Sequence, residues 1–153
     1  MSTSMGQLVS QGDWSAVASR FNEMEFVQRL GMVVDLSDPD RPRGDVNQIE
    51  SYHLGGIGQD FVNGAVTSGV IDIVLGLTGL RFAEMGYFAT RNLQIDLTLP
   101  VEKDGFYVTS RATSRIGKNL FAEATVFNPN GEPRVHATGV VRIGIRGSQQ
   151  ANG

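Results

Sequence analysis

Residues 61–80, FVNGAVTSGVIDIVLGLTGL, constrain the fold of this chain more than any other stretch. Asp72 is the only charged residue in it. Val62, Val66, Val70, Ile73, Leu77 and Leu80 recur at helical spacing. An Asn-Gly start leaves backbone N–H groups without acceptors in the first turn. Arg81 follows the last periodic residue, where a cation complements the helix dipole. The length also suits a membrane span. The interior glycines, the central carboxylate and a strand-rich remainder argue instead for a long core helix.

On a helical wheel the large apolar residues share one arc. Ala65, Ser68, Gly69, Asp72, Gly76 and Gly79 fall on the adjacent one. Each interior glycine costs a helix about 0.5–1 kcal/mol relative to alanine. Such a face is expected where something approaches closely. A neighbouring subunit's helix, a ligand and plain close packing all satisfy that expectation. Asp72 is open to two readings as well. It is a structural carboxylate satisfied by its neighbours, or a functional one, since a carboxylate in an apolar setting needs a partner or a proton.

The rest of the chain divides around this helix. Asp13 can cap a helix beginning at Trp14, and Trp14, Val17, Phe21, Met24, Val27 and Leu30 make one apolar stripe. GMVVDL (31–36) reads as a short strand, SDPDRPRGD (37–45) as a loop, and VNQIESYH (46–53) as a second short strand. HLGGIGQD (53–60) is a Gly-rich connector. Beyond the helix the period becomes two. FATRNLQIDLTLP alternates Leu93, Ile95, Leu97 and Leu99 with polar residues and stops at Pro100. GFYVTSRATSRIG, NLFAEATVF and PRVHATGVVRIGI alternate too, with a turn at NPNG, 128–131. Tight turns between strands imply antiparallel pairing. The order is helix, two strands, long helix and about four strands, an α+β arrangement in which the sheet must wrap around the long helix. Residues 1–12 and 147–153 are expected to be loose, flanking a single domain over 13–146.

Composition removes several chemistries. With no cysteine, thiolate zinc sites and Cys nucleophiles are excluded. Only two histidines, His53 and His136, argue against a multi-histidine metal site within one chain. A net charge of −3 does not point to a nucleic-acid or anionic-membrane partner. The N-terminus lacks a charged start followed by an apolar stretch, so a cytoplasmic location is expected. No G-x-S-x-G elbow occurs, and GGIG by itself is a weak phosphate-loop signal. His136 lies in an alternating strand and reads as a surface or interface residue.

One spacing is more telling. Gly64 stands at the start of the helix and Asp72 eight residues further on. An N–H at a helix start can polarise a carbonyl. A carboxylate two turns deeper can act as a base or nucleophile.

NGAVTSGVID (63–72), ATRNLQIDLTLP, SRIGKNLFAEATVFNPNGEPRVHATGVVRI, the N-terminal helix and LGMVVDL occur in an order that resembles the hotdog-fold acyl-CoA thioesterases, in particular their phenylacetate-pathway (PaaI-like) branch. The resemblance covers roughly residues 20–145. It implies a hotdog fold, with an antiparallel sheet of about five to six strands wrapped around the long helix, and hydrolysis of an acyl-CoA to free acid and CoA. The Gly64 N–H would polarise the thioester carbonyl. Asp72, from the opposite subunit of a dimer, would be general base or nucleophile. Gln59 would match a polar loop residue that contacts the carbonyl, and Thr78 a hydroxyl on the helix. Arg91, Arg115 and Lys118, with Asn92, would meet the CoA end of the substrate; solvated surface charge is their alternative reading. No metal or bound cofactor is implied, because CoA is part of the substrate. The family opens its helix with His-Gly-Gly, whereas this chain has Asn63, which hydrogen-bonds but does not take up a proton at neutral pH. A homo-oligomer follows from the exposed sheet edge and the small-residue face, as a dimer or a dimer of dimers. Two rivals remain. One is a non-catalytic acyl-CoA or small-ligand binding protein. The other, weaker, is a hydratase or dehydratase of acyl thioesters, since the hotdog hydratases carry a His five residues after the Asp and Leu77 stands there.

Overall fold

The computed structural model describes residues 2–56, 59–83 and 87–144. Three short helices lead the chain: α1 (Met5–Gln11), α2 (Trp14–Asn22) and α3 (Glu25–Arg29). Strands β1 (Met32–Asp35) and β2 (Arg43–Val46) follow, then the central helix α4 (Gly64–Gly76), which tightens into a 3-10 turn over Leu77–Phe82. Strands β3 (Tyr87–Asp96), β4 (Phe106–Ile116), β5 (Asn119–Phe127) and β6 (Pro133–Gly144) complete the fold. All six strands form one sheet in the order β1-β2-β4-β5-β6-β3, and every neighbouring pair is antiparallel. Helix α4 packs against β2, β3, β4, β5 and β6. This is the expected hotdog, a sheet wrapped around one helix.

Helix α4 buries Val70, Ile71, Val74 and Leu75 completely. They meet the inward-facing residues of the alternating strands, among them Val108, Val126 and Val141, each 0 % exposed. The Ser110 hydroxyl donates to the Val74 carbonyl at 2.7 Å and fixes the helix to β4. Residues 64–82 are long and apolar enough to cross a membrane, with a mean hydropathy of 1.5. Their apolar face is spent on the sheet instead, as in a core helix.

The small-residue arc splits in two. A Cβ on Gly79 would lie 2.8 Å from Val141 Cγ1, and one on Gly76 3.3 Å from Thr90 Oγ1. These two glycines let the sheet approach, so close packing accounts for them. Ala65 and Asp72 are exposed, and Ser68 and Gly69 half-buried, on the side of the helix turned away from the sheet.

Three expectations about elements fail for identifiable reasons. Residues 5–11 are helical rather than loose, because Ser4 and Gln7 form a reciprocal capping box and Leu8 is buried. The first long helix is two. The Asn22 side chain bonds both the N–H and the C=O of Val34 at 2.7 and 3.1 Å, tying the end of α2 to β1. Helicity resumes at Glu25, with Met24 left 44 % exposed and Val27 buried. The second short strand is 43–46, not 46–53, and residues 51–53 form a 3-10 turn. Gly44 lies against the core helix, where a Cβ would come within 2.7 Å of Val74 Cγ2. The glycine that disguised this strand as a loop is what permits its position. Ile145 and the tail 147–153 lie outside the described residues.

The sheet's two edges differ. Strand β1 has four residues and is covered by α2 and α3. Strand β3 has ten, and among the described residues nothing pairs with its outer edge. A long open edge of this kind is a template for another strand.

Candidate functional site

Helix α4 begins inside an apolar cleft of about 450 Å³. Its walls come from two directions. Phe61 and Val62 lead into the helix, and Leu97, Leu99 and Val101 line the segment after β3. Short bridges hold the walls together. The Val62 N–H donates to the Val101 carbonyl at 2.8 Å, and Lys103 Nζ donates to Asp60 Oδ1 at 2.6 Å. That ammonium holds the Asp60 carboxyl below its ordinary value of 3.8, chiefly through the hydrogen bond.

The helix start is arranged by Asn63. Its side-chain oxygen accepts from the Ala65 N–H at 2.9 Å, and its backbone carbonyl accepts from Val66 and Thr67. Its own N–H donates to the His53 carbonyl at 2.8 Å. The Gly64 N–H is left with no acceptor among the described residues, and Gly64 lines the cleft. An unpaired N–H at the positive end of a helix dipole can bind a carbonyl oxygen or the anion it becomes.

Asp72 stands apart from that cleft. Eight residues of helix place it about 12 Å further along the axis, and about a quarter-turn around it. It is exposed, and no hydrogen bond or ion pair reaches its carboxylate among the described residues. The chain therefore does not bury this carboxylate. Nor can one substrate carbonyl touch both Gly64 and Asp72 of the same protomer.

The remaining expected residues scatter. Gln59 is exposed and does not line the cleft. Thr78 is 3 % exposed and its hydroxyl donates to the Leu75 carbonyl at 2.7 Å. It sits in the 3-10 turn at the far end of the helix from Gly64, beside a minor cavity shared with Asp40 and Arg81. Arg91 is the bulged residue of β3, where the register shifts between Thr90 and Asn92. Arg91 and Asn92 are exposed, and Arg91 reaches Asn119 Oδ1 at 3.3 Å. Arg115 donates to the Gly117 carbonyl at 3.0 Å and lies over the Phe82 ring, with exposed Lys118 next along the β4–β5 turn. The cations gather at one end of the molecule. Leu97 on the cleft wall lies six residue steps beyond Arg91, about 20 Å in extended chain.

Both histidines are accounted for locally. His53 is buried, with Nδ1 accepting from the Glu50 N–H at 3.0 Å and Nε2 bonded to the Arg29 carbonyl at 2.6 Å. That pattern puts its proton on Nε2 and fixes the turn before the cleft. His136 is exposed on β6 and lies 3.4 Å from the Thr125 hydroxyl. No group of three or more His, Asp or Glu side chains among the described residues is placed to hold a metal ion. A wider, more open depression of about 520 Å³ lies between α2 and β1. The start of α2 lies on its wall at Trp14 and Ser15, but Asp13 already caps that helix through the Ala16 N–H, and Asn22 is bonded to Val34.

The sequence reading passed over Thr67. It lines the cleft with Gly64 and is 1 % exposed. The available signal was its position, three residues after Gly64 and so on the same helix face.

The fold is shared with solved structures. A Shewanella oneidensis protein described as related to the thioesterase superfamily aligns at a TM-score of 0.76 and 20% identity, over 89% of this chain and 98% of its own. The E. coli PaaI protein from the phenylacetic acid degradation operon aligns at 0.71 and 14%, over 89% and 96%. A Silicibacter pomeroyi thioesterase family protein aligns at 0.71 and 18%, over 91% and 99%. No family model matches the chain, and no curated protein matches it by sequence.

Proposed function

We propose that the protein is an acyl-CoA thioesterase that works as a homo-oligomer. The observation that carries this reading is the free Gly64 N–H at the mouth of an apolar cleft. An acyl chain fills the cleft and its carbonyl oxygen accepts from Gly64. Asp72 of a second protomer removes a proton from water, and the water oxygen attacks the carbonyl carbon. The negative charge that builds on the carbonyl oxygen is held at the helix start. The intermediate collapses, the C–S bond breaks, and the CoA sulfur leaves as a thiolate that takes up the proton. Direct attack by the carboxylate, giving an anhydride that water then opens, reaches the same products. Arg91, Arg115 and Lys118 meet the CoA phosphates, and Asn92 lies beside them. Gln59 approaches the carbonyl only if its loop turns in.

The split arrangement supports the oligomer. One chain offers an amide at one end of its helix, a carboxylate midway and cations at the other end. A two-fold arrangement across the open β3 edge brings one chain's amide towards another's carboxylate and cations. The substrate class follows the proteins that share the fold, which are described as thioesterases. The protein is assigned to the cytoplasm on the same reading.

A second reading has one observation behind it. Asn63, at the position of the family's His, has its side-chain oxygen committed to the Ala65 N–H. That fits a binding protein that holds acyl-CoA without cleaving it. Free thiol released from short, medium and aromatic acyl-CoAs separates the two. Hydrolysis that falls at least about a hundredfold in Asp72→Asn supports the enzyme. Binding without thiol release supports the second reading, and hydrolysis unchanged in Asp72→Asn removes Asp72 from the mechanism.

A further inference from the structure

Thr67 has a hydroxyl that the fold does not use. Thr78 and Ser110, the other buried hydroxyl residues among those described, each donate to a helix carbonyl at 2.7 Å. Thr67 makes no side-chain hydrogen bond among the described residues, although only 1 % of it is exposed. No side-chain oxygen or nitrogen there is both sealed from solvent and unbonded. The small open part of Thr67 therefore includes its hydroxyl, and the open space it meets is the cleft that it lines. The isosteric valine would bury there at no polar cost, so the hydroxyl serves what enters.

Its placement narrows the ligand. Thr67 lies three residues after Gly64, on the same face and about 4.5 Å along the axis. Helical side chains lean towards the N-terminus, which turns the hydroxyl towards the first turn. Gly64 is half-buried at the mouth beside the exposed Leu97, whereas Thr67 is enclosed with Val62 and Val101 where the acyl chain runs. Two oxygens in a 1,3 relation along an acyl chain span such a separation. We infer that Thr67 determines specificity: it pairs with an oxygen on the third carbon of the acyl group while the Gly64 N–H holds the thioester carbonyl, so the cleft takes 3-hydroxyacyl or 3-oxoacyl thioesters in preference to plain alkyl ones. The inference rests on the thioesterase reading for the carbonyl at Gly64. A plain chain would strip water from the hydroxyl and leave it unpaired, a discrimination of about ten- to a hundredfold.

The test compares kcat/KM for butyryl-CoA and the two 3-hydroxybutyryl-CoA enantiomers in the wild type, Thr67→Val and Thr67→Ser. The wild type is expected to favour one hydroxylated substrate by about tenfold or more. Thr67→Val should bring the pair to within about twofold, and Thr67→Ser should keep the preference. An equal loss on both substrates in Thr67→Val would place the hydroxyl on the thioester carbonyl and overturn the inference. Equal rates in the wild type would overturn it as well. If the wild type cleaves none of them, the wider acyl-CoA panel judges the thioesterase reading, and equilibrium binding of the same three CoA esters decides the role of Thr67. A preference for the hydroxylated ester that Thr67→Val abolishes upholds the role of Thr67, and equal affinities overturn it.

Discussion

Replacing Asn63 by alanine removes the acceptor for the Ala65 N–H, a bond of 2.9 Å at the first turn of α4. Loss of an N-cap side chain costs about 0.5–2 kcal/mol, centred near 1. Several things keep the cost from the top of that range. The backbone carbonyl of Asn63 still accepts from Val66 and Thr67, and its N–H still donates to His53. A value near 1 kcal/mol corresponds to a fall in Tm of roughly 2–4 °C for a chain of this size. Asn63→Ser and Asn63→Asp keep an acceptor at the same place and should stay within a few tenths of a kcal/mol of the wild type. Urea unfolding of the four proteins, with equal m-values, measures this directly. The alternative is packing, since the Asn63 amide nitrogen also lies 3.6 Å from where a Cβ on Gly55 would sit. A serine variant as unstable as the alanine one would show that the amide's bulk, and not the cap, stabilises the helix start, and the reasoning would be refuted. The functional arm uses the same variants. A frayed first turn no longer aims the Gly64 N–H, so Asn63→Ala should lose catalytic efficiency where Asn63→Ser does not.

Ser110→Ala leaves the Val74 carbonyl without its side-chain donor inside the core, and chemical denaturation should show a loss of about 1–2 kcal/mol. The Asp60 carboxyl should titrate below 3.8 by NMR and return towards that value in Lys103→Met. Its folded pKa is depressed, so any stabilisation it gives is present above its unfolded value and is lost as the pH falls through the folded one. The pair is exposed, so salt should weaken the shift.

What could be read from the sequence followed the periodicities. The alternation of 106–116 and 133–143 marked strands because one side of each faces the helix. Apolar residues at helical spacing, with Asp72 the one charge among them, marked α4 because a helix enclosed by a sheet has little use for polar residues. Where the rules failed, a tertiary contact had overridden them. Gly44 makes a strand look like a loop because Val74 occupies the space of its side chain. Asn22 ends a helix in mid-stripe because β1 needs its amide. At the site, Gly64 could be found because a helix start is visible in sequence. Thr78 donates to Leu75, and sequence does not tell a hydroxyl committed to a backbone carbonyl from one left free. Thr67 went unnoticed for the same reason, although its position on the face of Gly64 was a signal, and the missing bond now sets it apart. Asp72 was expected to be an enclosed charge. It is an exposed one, and its interest now lies in what a second chain would bring to it.

The open strand and the cleft wall are one continuous piece of backbone. β3 ends at Asp96, and Leu97, Leu99 and Val101 of the cleft follow immediately. A strand docked on β3, as the proposed oligomer requires, would steady the wall of the proposed acyl cleft. Assembly and ligand binding are then linked equilibria: whatever factor association adds to ligand affinity, the ligand returns to association. In the proposed assembly the affinity of the cleft would rise and fall with the concentration of the chain itself.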